Sequence, residues 1–441
     1  MMNLIKTLKD IWKIEELKNK LLLTIGLIAV YRFMAAVPLP GIDPTQLTAL
    51  KDGTSSGLLG ILNAFTGGAF SRASVMALGI MPYISASIVV QLMGIAIPYL
   101  QKLQKDGESG RKKITQITRW LTIAITMFQG PAYITAIKTS FGLPDAAFLV
   151  GGATFWISSM IILTAGTVFA MWLGERITDK GVGNGISLLI TVGIIANFPG
   201  AFAQELVAKT TGAGAGGVMM ILIELIVWFV IILLTVLLVT AVRKIAVQYA
   251  RRTVVGSVKD VAGARQYIPL KLNAAGVMPI IFAQAIMFLP VALAQRFPMI
   301  SGLQDMNGFG YNAIFALLII IFSYFYTAIT IPTNKMAEDL KRSGGFIPGT
   351  RPGAETAEQL DTVLSRITFP GALFLAALSI LPAIAVKFGV QQNWALFYGG
   401  TSLIIMVGVA IDTIQQINSY LLNSHYDGLM KPGTSNRKSA E

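Results

Sequence analysis

SSGLLGILNAFTGGAFSRASVMALGIMPYISASIVVQL occupies residues 55–92. Its first part is apolar but short, and Gly67-Gly68 interrupts it before Ser71 and Arg72. A short apolar helix outside a regular span is usually a re-entrant or buried segment, because lipid cannot satisfy the backbone of an interrupted helix. Two readings stand: an amphipathic helix outside the membrane, or a movable stopper seated in a cavity. The second part runs on without charge and is long enough to cross a bilayer, which takes about 20 apolar residues. Within it Ile80 and Ile84 stand four apart and share a helix face. Ile186 and Ile190 repeat that spacing. Such isoleucines ordinarily pack in a core or face lipid; a hydrophobic constriction that gates a pore is the alternative use.

Blocks of the same apolar kind recur along the whole chain. Candidate spans are 21–37, 76–100, 120–137, 153–173, 183–198, 218–242, 273–293, 313–331, 368–386 and 394–417, which makes an all-α polytopic membrane protein of ten transmembrane helices. The composition agrees: 54% of the 441 residues are hydrophobic and only 13% charged, far from a soluble domain. The 43 glycines suit close helix packing. With no cysteine, disulfides, thiolate metal sites and thiol catalysis are excluded. The only histidine, His425, falls in the polar tail 421–441 and makes no metal site alone. Residues 1–20, MMNLIKTLKDIWKIEELKNK, alternate apolar and charged residues at helical spacing and read as an amphipathic surface helix, not a cleavable signal peptide.

Placement of the charge sets the topology. With the N-terminus cytoplasmic, 28 of the 35 lysines and arginines fall in cytoplasmic segments and 6 outside, with Arg32 inside the first span. That asymmetry puts both termini inside and explains the net charge of +13 without nucleic acid. Two cytoplasmic loops, 243–272 and 332–367, are longer than connection requires. One carries ARRTVVGSVKDVAGARQYIPLK from Ala250, the other KRSGGFIPGTRPG from Lys341. Their basic residues and turn signals serve either positive-inside retention or docking of a cytoplasmic partner.

No catalytic constellation is visible: there is no paired carboxylate cluster within the spans, no phosphate-binding loop and no nucleophile–base pair. The expectation is a protein that is not an enzyme and needs no cofactor. Arg32, Glu224 and Asp412 are the charged residues inside spans, and such residues are functional suspects by default. Glu224 suits proton coupling or a structural contact between helices. The alternative function is therefore an ion- or proton-coupled secondary transporter, which expects charge near the midplane on broken helices. The lack of charge in spans two to five and seven to nine weighs against it. A non-conducting scaffold, the third possibility, has no use for a stopper.

NAFTGGAFSRASVMALGIMPYISASIVVQL from Asn63, KDGESGRKKITQITR from Lys105, WLGERITDKGVGNGIS from Trp172, IPLKLNAAGVMPIIFA from Ile268, LKRSGGFIPGTRPG from Leu340 and FYGGTSLII from Phe397 together resemble, in order, the SecY family of the bacterial Sec translocon. The resemblance implies an hourglass pore built from two inverted five-helix halves, 21–203 and 204–420, in the bacterial inner (cytoplasmic) membrane. It implies a waist ring of Ile80, Ile84, Ile186, Ile190, Ile281 and Ile405, able to seal around a passing chain without binding it. The segment 55–70 becomes the plug, with Leu58, Leu59, Ile61, Leu62, Phe65, Gly67 and Gly68. A lateral gate between spans two and seven would release hydrophobic segments of signal-sequence-bearing polypeptides into the bilayer. Implied partners are the small membrane subunits SecE and SecG, the ATPase SecA and the ribosome, with no DNA. Arg351 matches an arginine important for the cytoplasmic partners, and Arg251 and Arg252 are further candidates beside a loop tip, 253–264, less basic than the family usually shows.

Overall fold

A computed structural model of the chain describes residues 14–43, 65–139, 152–211, 217–249, 266–294 and 305–430, together with 12, 47, 63, 148, 149, 302 and 303. Leu58, Leu59, Ile61, Leu62, Arg251, Arg252, most of the 1–20 segment and the tail from 431 lie outside them. The chain divides into two compact units, residues 1–200 with 409–441, and residues 201–408.

In the first unit, α1 (Glu15–Met34) begins six residues before the expected first span, 21–37, and ends three residues short of its end. Lys20, just ahead of that span, donates to Glu16 at 2.8 Å and to Tyr420 at 3.2 Å. These acceptors, Glu16 foremost, hold its ammonium pKa above the usual lysine value. The second span differs from the expected 76–100. Helix begins only at Met81, in α2 (Met81–Ala96), because Gly79 takes a left-handed φ of 54° and Pro82 favours the first helical turn. It breaks at Ile97, which is extended because Pro98 follows, and α3 (Pro98–Lys105) leaves at a bend of 103°. Residues 66–80 form turns whose backbone pairs with the end of the first span: Leu39 N donates to Ala73 O at 2.8 Å and Val75 N to Val37 O at 3.0 Å.

Helix α4 (Gly107–Thr139) starts 13 residues before the expected 120, an extension of about 20 Å at 1.5 Å per residue. It packs on α5 (Gly152–Lys180), and the two are joined by the paired bonds from Arg119 to Glu175 at 3.0 and 2.6 Å. The core lies where Phe70, Ala73 and Ala77 of the turn segment meet Tyr133 and Ile137 of α4 and Leu163 of α5. Helix α6 (Gly185–Thr211) outruns the expected 183–198 by 13 residues, passing Pro199 without ending.

In the second unit, α7 (Gly217–Thr240) exposes Val218, Ile226, Phe229 and Leu237, a face suited to lipid. The expected loop 243–272 is instead partly a hairpin. β1 (Val242–Tyr249) pairs antiparallel with β2 (Gln266–Lys271), Ile245 opposite Ile268. Then come α8 (Met278–Ala294), α9 (Phe309–Thr330) and α10 (Thr333–Arg342). β3 (Gly345–Phe346) adds to the other edge of β1, giving the order β2-β1-β3. α11 (Ala354–Lys387) begins 14 residues before the expected 368 and packs on α9 and α10. The two loops thus share a small core of Val247, Leu340, Ile347 and Leu360. After the short α12 (Gln392–Ala395), α13 (Gly400–Met430) starts six residues later than the expected 394 and outlasts 417.

Among the described residues seven helices are long and apolar enough to cross a membrane, and α2 with α3 makes an eighth if the bent pair is one span. The protein is therefore a multi-pass, all-α membrane protein. α1 and α8 stand where the other two spans were expected; α1 carries too many charges to pass that measure, and α8 has 17 residues.

Candidate functional site

The six ring candidates divide between the units. In the first, Ile80 is buried and its carbonyl accepts from Ile84 N at 3.1 Å, so the two stand one turn apart where α2 begins. Ile84 and Ile186 are half-buried and Ile190 is buried. Ile186 also packs on α5: a methyl group on Gly174 would come within 2.9 Å of it. In the second unit Ile281 is half-buried in α8 and Ile405 buried in α13.

The described end of the 55–70 segment is held closely. Phe65, Thr66 and Ala69 are buried. Gly67 and Gly68 take φ of 64° and 83°, left-handed values that favour glycine. Their turn is closed by Gly68 N donating to Asn63 O at 2.9 Å and Ser71 N to the Asn63 side chain at 3.0 Å. Three helices reach it. Arg32 of α1 donates to Gly67 O at 3.1 Å, Asn197 of α6 to Asn63 O at 3.3 Å, and the Tyr133 hydroxyl of α4 to Phe70 O at 2.7 Å. Gly193 of α6 lies directly beneath, where a Cβ would meet the carbonyl oxygen of Phe65 and the amide of Gly67.

Arg351 stands in the turn ahead of α11. Its backbone is clamped, with the amide donating to Glu355 at 3.2 Å and the carbonyl accepting from Thr356 at 2.8 Å. Its side chain is 88% exposed, with only a 3.9 Å approach to Glu355. A fixed backbone presenting a free guanidinium suits recognition of an acidic surface.

Of the charged residues expected inside spans, Arg32 donates to Gly67 O, Asp412 is exposed and Glu224 is buried. Glu224 sits 3.2 Å from Lys209, which also lies 3.6 Å from Glu205 and donates to Gly389 O at 2.8 Å. Glu205 accepts from Gln391 N at 2.8 Å. All three side chains are under a tenth exposed. Glu224 is therefore part of an ion-paired contact between helices, the structural alternative, and lends the transporter no support. Glu205 and Lys209 were missed in the sequence because the apolar run of span five stops before Pro199; their i, i+4 spacing on a continued helix was the available signal.

The fold is that of a protein-conducting channel. It matches a SecY translocation channel, in which the plug domain stabilises the closed state and maintains a membrane seal, with a TM-score of 0.61 at 17% identity over 94% of each chain. It matches Sec61 of the canine ribosome-channel complex with a TM-score of 0.55, again at 17% identity over 94% of each chain. The sequence relationship is closer: the protein translocase subunit SecY of Streptomyces scabiei is 39% identical over 436 residues, covering 95% of this chain and 98% of its own. The SecY family model matches residues 74–414, and the chain belongs to the SecY family.

Proposed function

We propose that the chain is the channel subunit of a protein translocase, passing unfolded secretory chains across the bacterial inner membrane and releasing hydrophobic segments sideways into lipid. The observation that carries this reading is the near full-length match to a translocase subunit, 98% of that protein's length. Ten spans with both termini cytoplasmic form the channel, its halves meeting near the 203/204 boundary. The six isoleucines form its waist, and 55–70 its plug. A waist of aliphatic side chains offers a passing chain no hydrogen-bond partner, so it seals without binding, and when closed it excludes ions by dewetting. A hydrophobic segment that reaches lipid partitions by its own transfer energy, roughly −0.3 to −0.6 kcal/mol per central Leu, Ile, Phe or Val. The chain itself then needs no catalytic group.

Direction and energy come from partners: SecA or a translating ribosome at the cytoplasmic face, with SecE and SecG beside the channel in the membrane. The Sec61 relative is described in a ribosome-channel complex, which supports the ribosome as one of them. Arg351 is the main docking residue, supported by its clamped backbone and 88% exposed side chain; Arg251 and Arg252 are secondary.

The test is site-specific crosslinking from position 84 to a secretory chain stalled in transit. Adducts at 84 and 190, with none at the exposed Phe229 of α7, are expected. Adducts only at Phe229 would defeat the waist. Replacing Ile84 by Asn should also raise resting ion conductance and loosen the requirement for a signal sequence, because a polar side chain stabilises water in the constriction. Intact, abundant protein without added conductance would remove Ile84 from the ring.

A further inference from the structure

Arg32 is a half-buried cation in the last turn of α1, and its guanidinium there needs an acceptor. The acceptor here is not an acidic side chain of a neighbouring helix. It is the carbonyl oxygen of Gly67, 35 residues on, at 3.1 Å. That carbonyl is presented by two consecutive left-handed glycines. A Cβ at Gly67 would collide with the Arg32 guanidinium on one side and come within 2.8 Å of the Gly193 backbone on the other. The stopper root is thus held between a side chain of α1 and the bare backbone of α6.

We propose that Arg32 is the latch that keeps the stopper seated, a positioning residue for channel closure; this rests on the reading of 55–70 as the plug. A charge-assisted hydrogen bond to a backbone carbonyl is about twice as strong as a neutral one. Its strength also depends on water. Arg32 is half-buried, and water entering an opening channel competes with Gly67 O for its guanidinium. The latch is strong when the channel is sealed and weak once it is wetted, so release of the stopper and hydration of the pore favour each other. Gly193 makes the seat possible, since any side chain there pushes against Phe65 O. Asn197, donating to Asn63 O at 3.3 Å, holds the same root from the next turn of α6.

The experiment measures resting ion conductance of the full chain, assembled with its membrane subunits, in planar bilayers. Four proteins are compared with wild type: Arg32→Met, Arg32→Lys, Gly193→Ala and a deletion of 55–62. Arg32→Met removes the donors and should shift the closed–open balance about tenfold toward leak, equivalent to about 1.4 kcal/mol. Arg32→Lys keeps a charged donor and should recover most of the closure. Gly193→Ala lifts the root from the opposite side, leaves Arg32 intact and should leak as well, which keeps the test decisive if Arg32→Met does not accumulate. If Arg32 serves only to stabilise α1, Arg32→Met lowers thermal stability without leak, and the latch is overturned. Leak from the deletion with none from Arg32→Met or Gly193→Ala also overturns the latch while the plug reading stands. A deletion that conducts no more than wild type removes the plug reading itself, and the latch with it.

Discussion

At the scale of single residues, the strongest electrostatic commitment is Lys209. It lies in the second unit between Glu205 and Glu224, with all three nearly excluded from solvent. Taking charges out of water costs several kcal/mol each, and removing one partner of a buried pair is far more damaging than the pair is stabilising. Lys209→Met leaves two carboxylates buried without their cation. It also vacates the donor that Gly389 O uses, so the turn ahead of α12 loses its anchor. The expected loss is about 3–5 kcal/mol, read as a lower unfolding temperature of the purified protein in detergent. An unchanged unfolding temperature would mean that the cluster is hydrated and structurally idle. This pairing was not visible along the chain: Glu224 stood out because it interrupts an apolar run, whereas Lys209 and Glu205 resembled ordinary loop charges.

At the scale of elements, the informative difference is in the two long loops, 243–272 and 332–367. Read alone, 243–272 and 332–367 are basic, turn-rich connections. Folded, β1 takes β2 on one edge and β3 on the other, and α10 closes over Val247, Ile347 and Leu360 through Leu340. Neither loop has enough apolar residues for a core of its own, so the periodicity that betrays a span is too faint to see in either. Leu340→Ala should cost about 2–5 kcal/mol within this small core. Because the spans do not depend on it, limited proteolysis should cut near 340 while the membrane-protected fragments keep their sizes. Cleavage unchanged from wild type would show that the module does not rely on that side chain. Arg351→Glu makes the complementary case. Its backbone bonds remain and its side chain is 88% exposed, so secretion should fall with no change in abundance or proteolytic pattern. Normal secretion would count against a docking role.

At the scale of the whole molecule, the governing quantity is the distribution of charge across the membrane. With 28 of 35 basic residues assigned to one side, both termini should be cytoplasmic. A reporter fused after Ser439 that is active only outside the cell would reverse that orientation. The extension of α4 beyond the expected span, 13 residues or about 20 Å, is the polar part of a long helix. Hydropathy sees only the part of a helix that lipid covers. A polar continuation stays helical because its propensity is good, and Gly110 within it does not end the helix.

The residue string by itself determined the class of protein and the family, because long uncharged runs have no other stable home and the quoted segments extend across most of the chain. It marked the turn at Gly67-Gly68, since two adjacent glycines after an apolar run mark a backbone that must turn. Only the tertiary structure decided what those glycines approach: Arg32 from α1 and Gly193 from α6, separated from them in sequence by 35 residues and by more than a hundred. The same holds for Lys209 with Glu224 and for the sheet that joins the two loops. Periodicity reports which side of an element is apolar. It carries no record of which distant side chain will meet a given carbonyl, and that choice is made by the close packing of the helices around it.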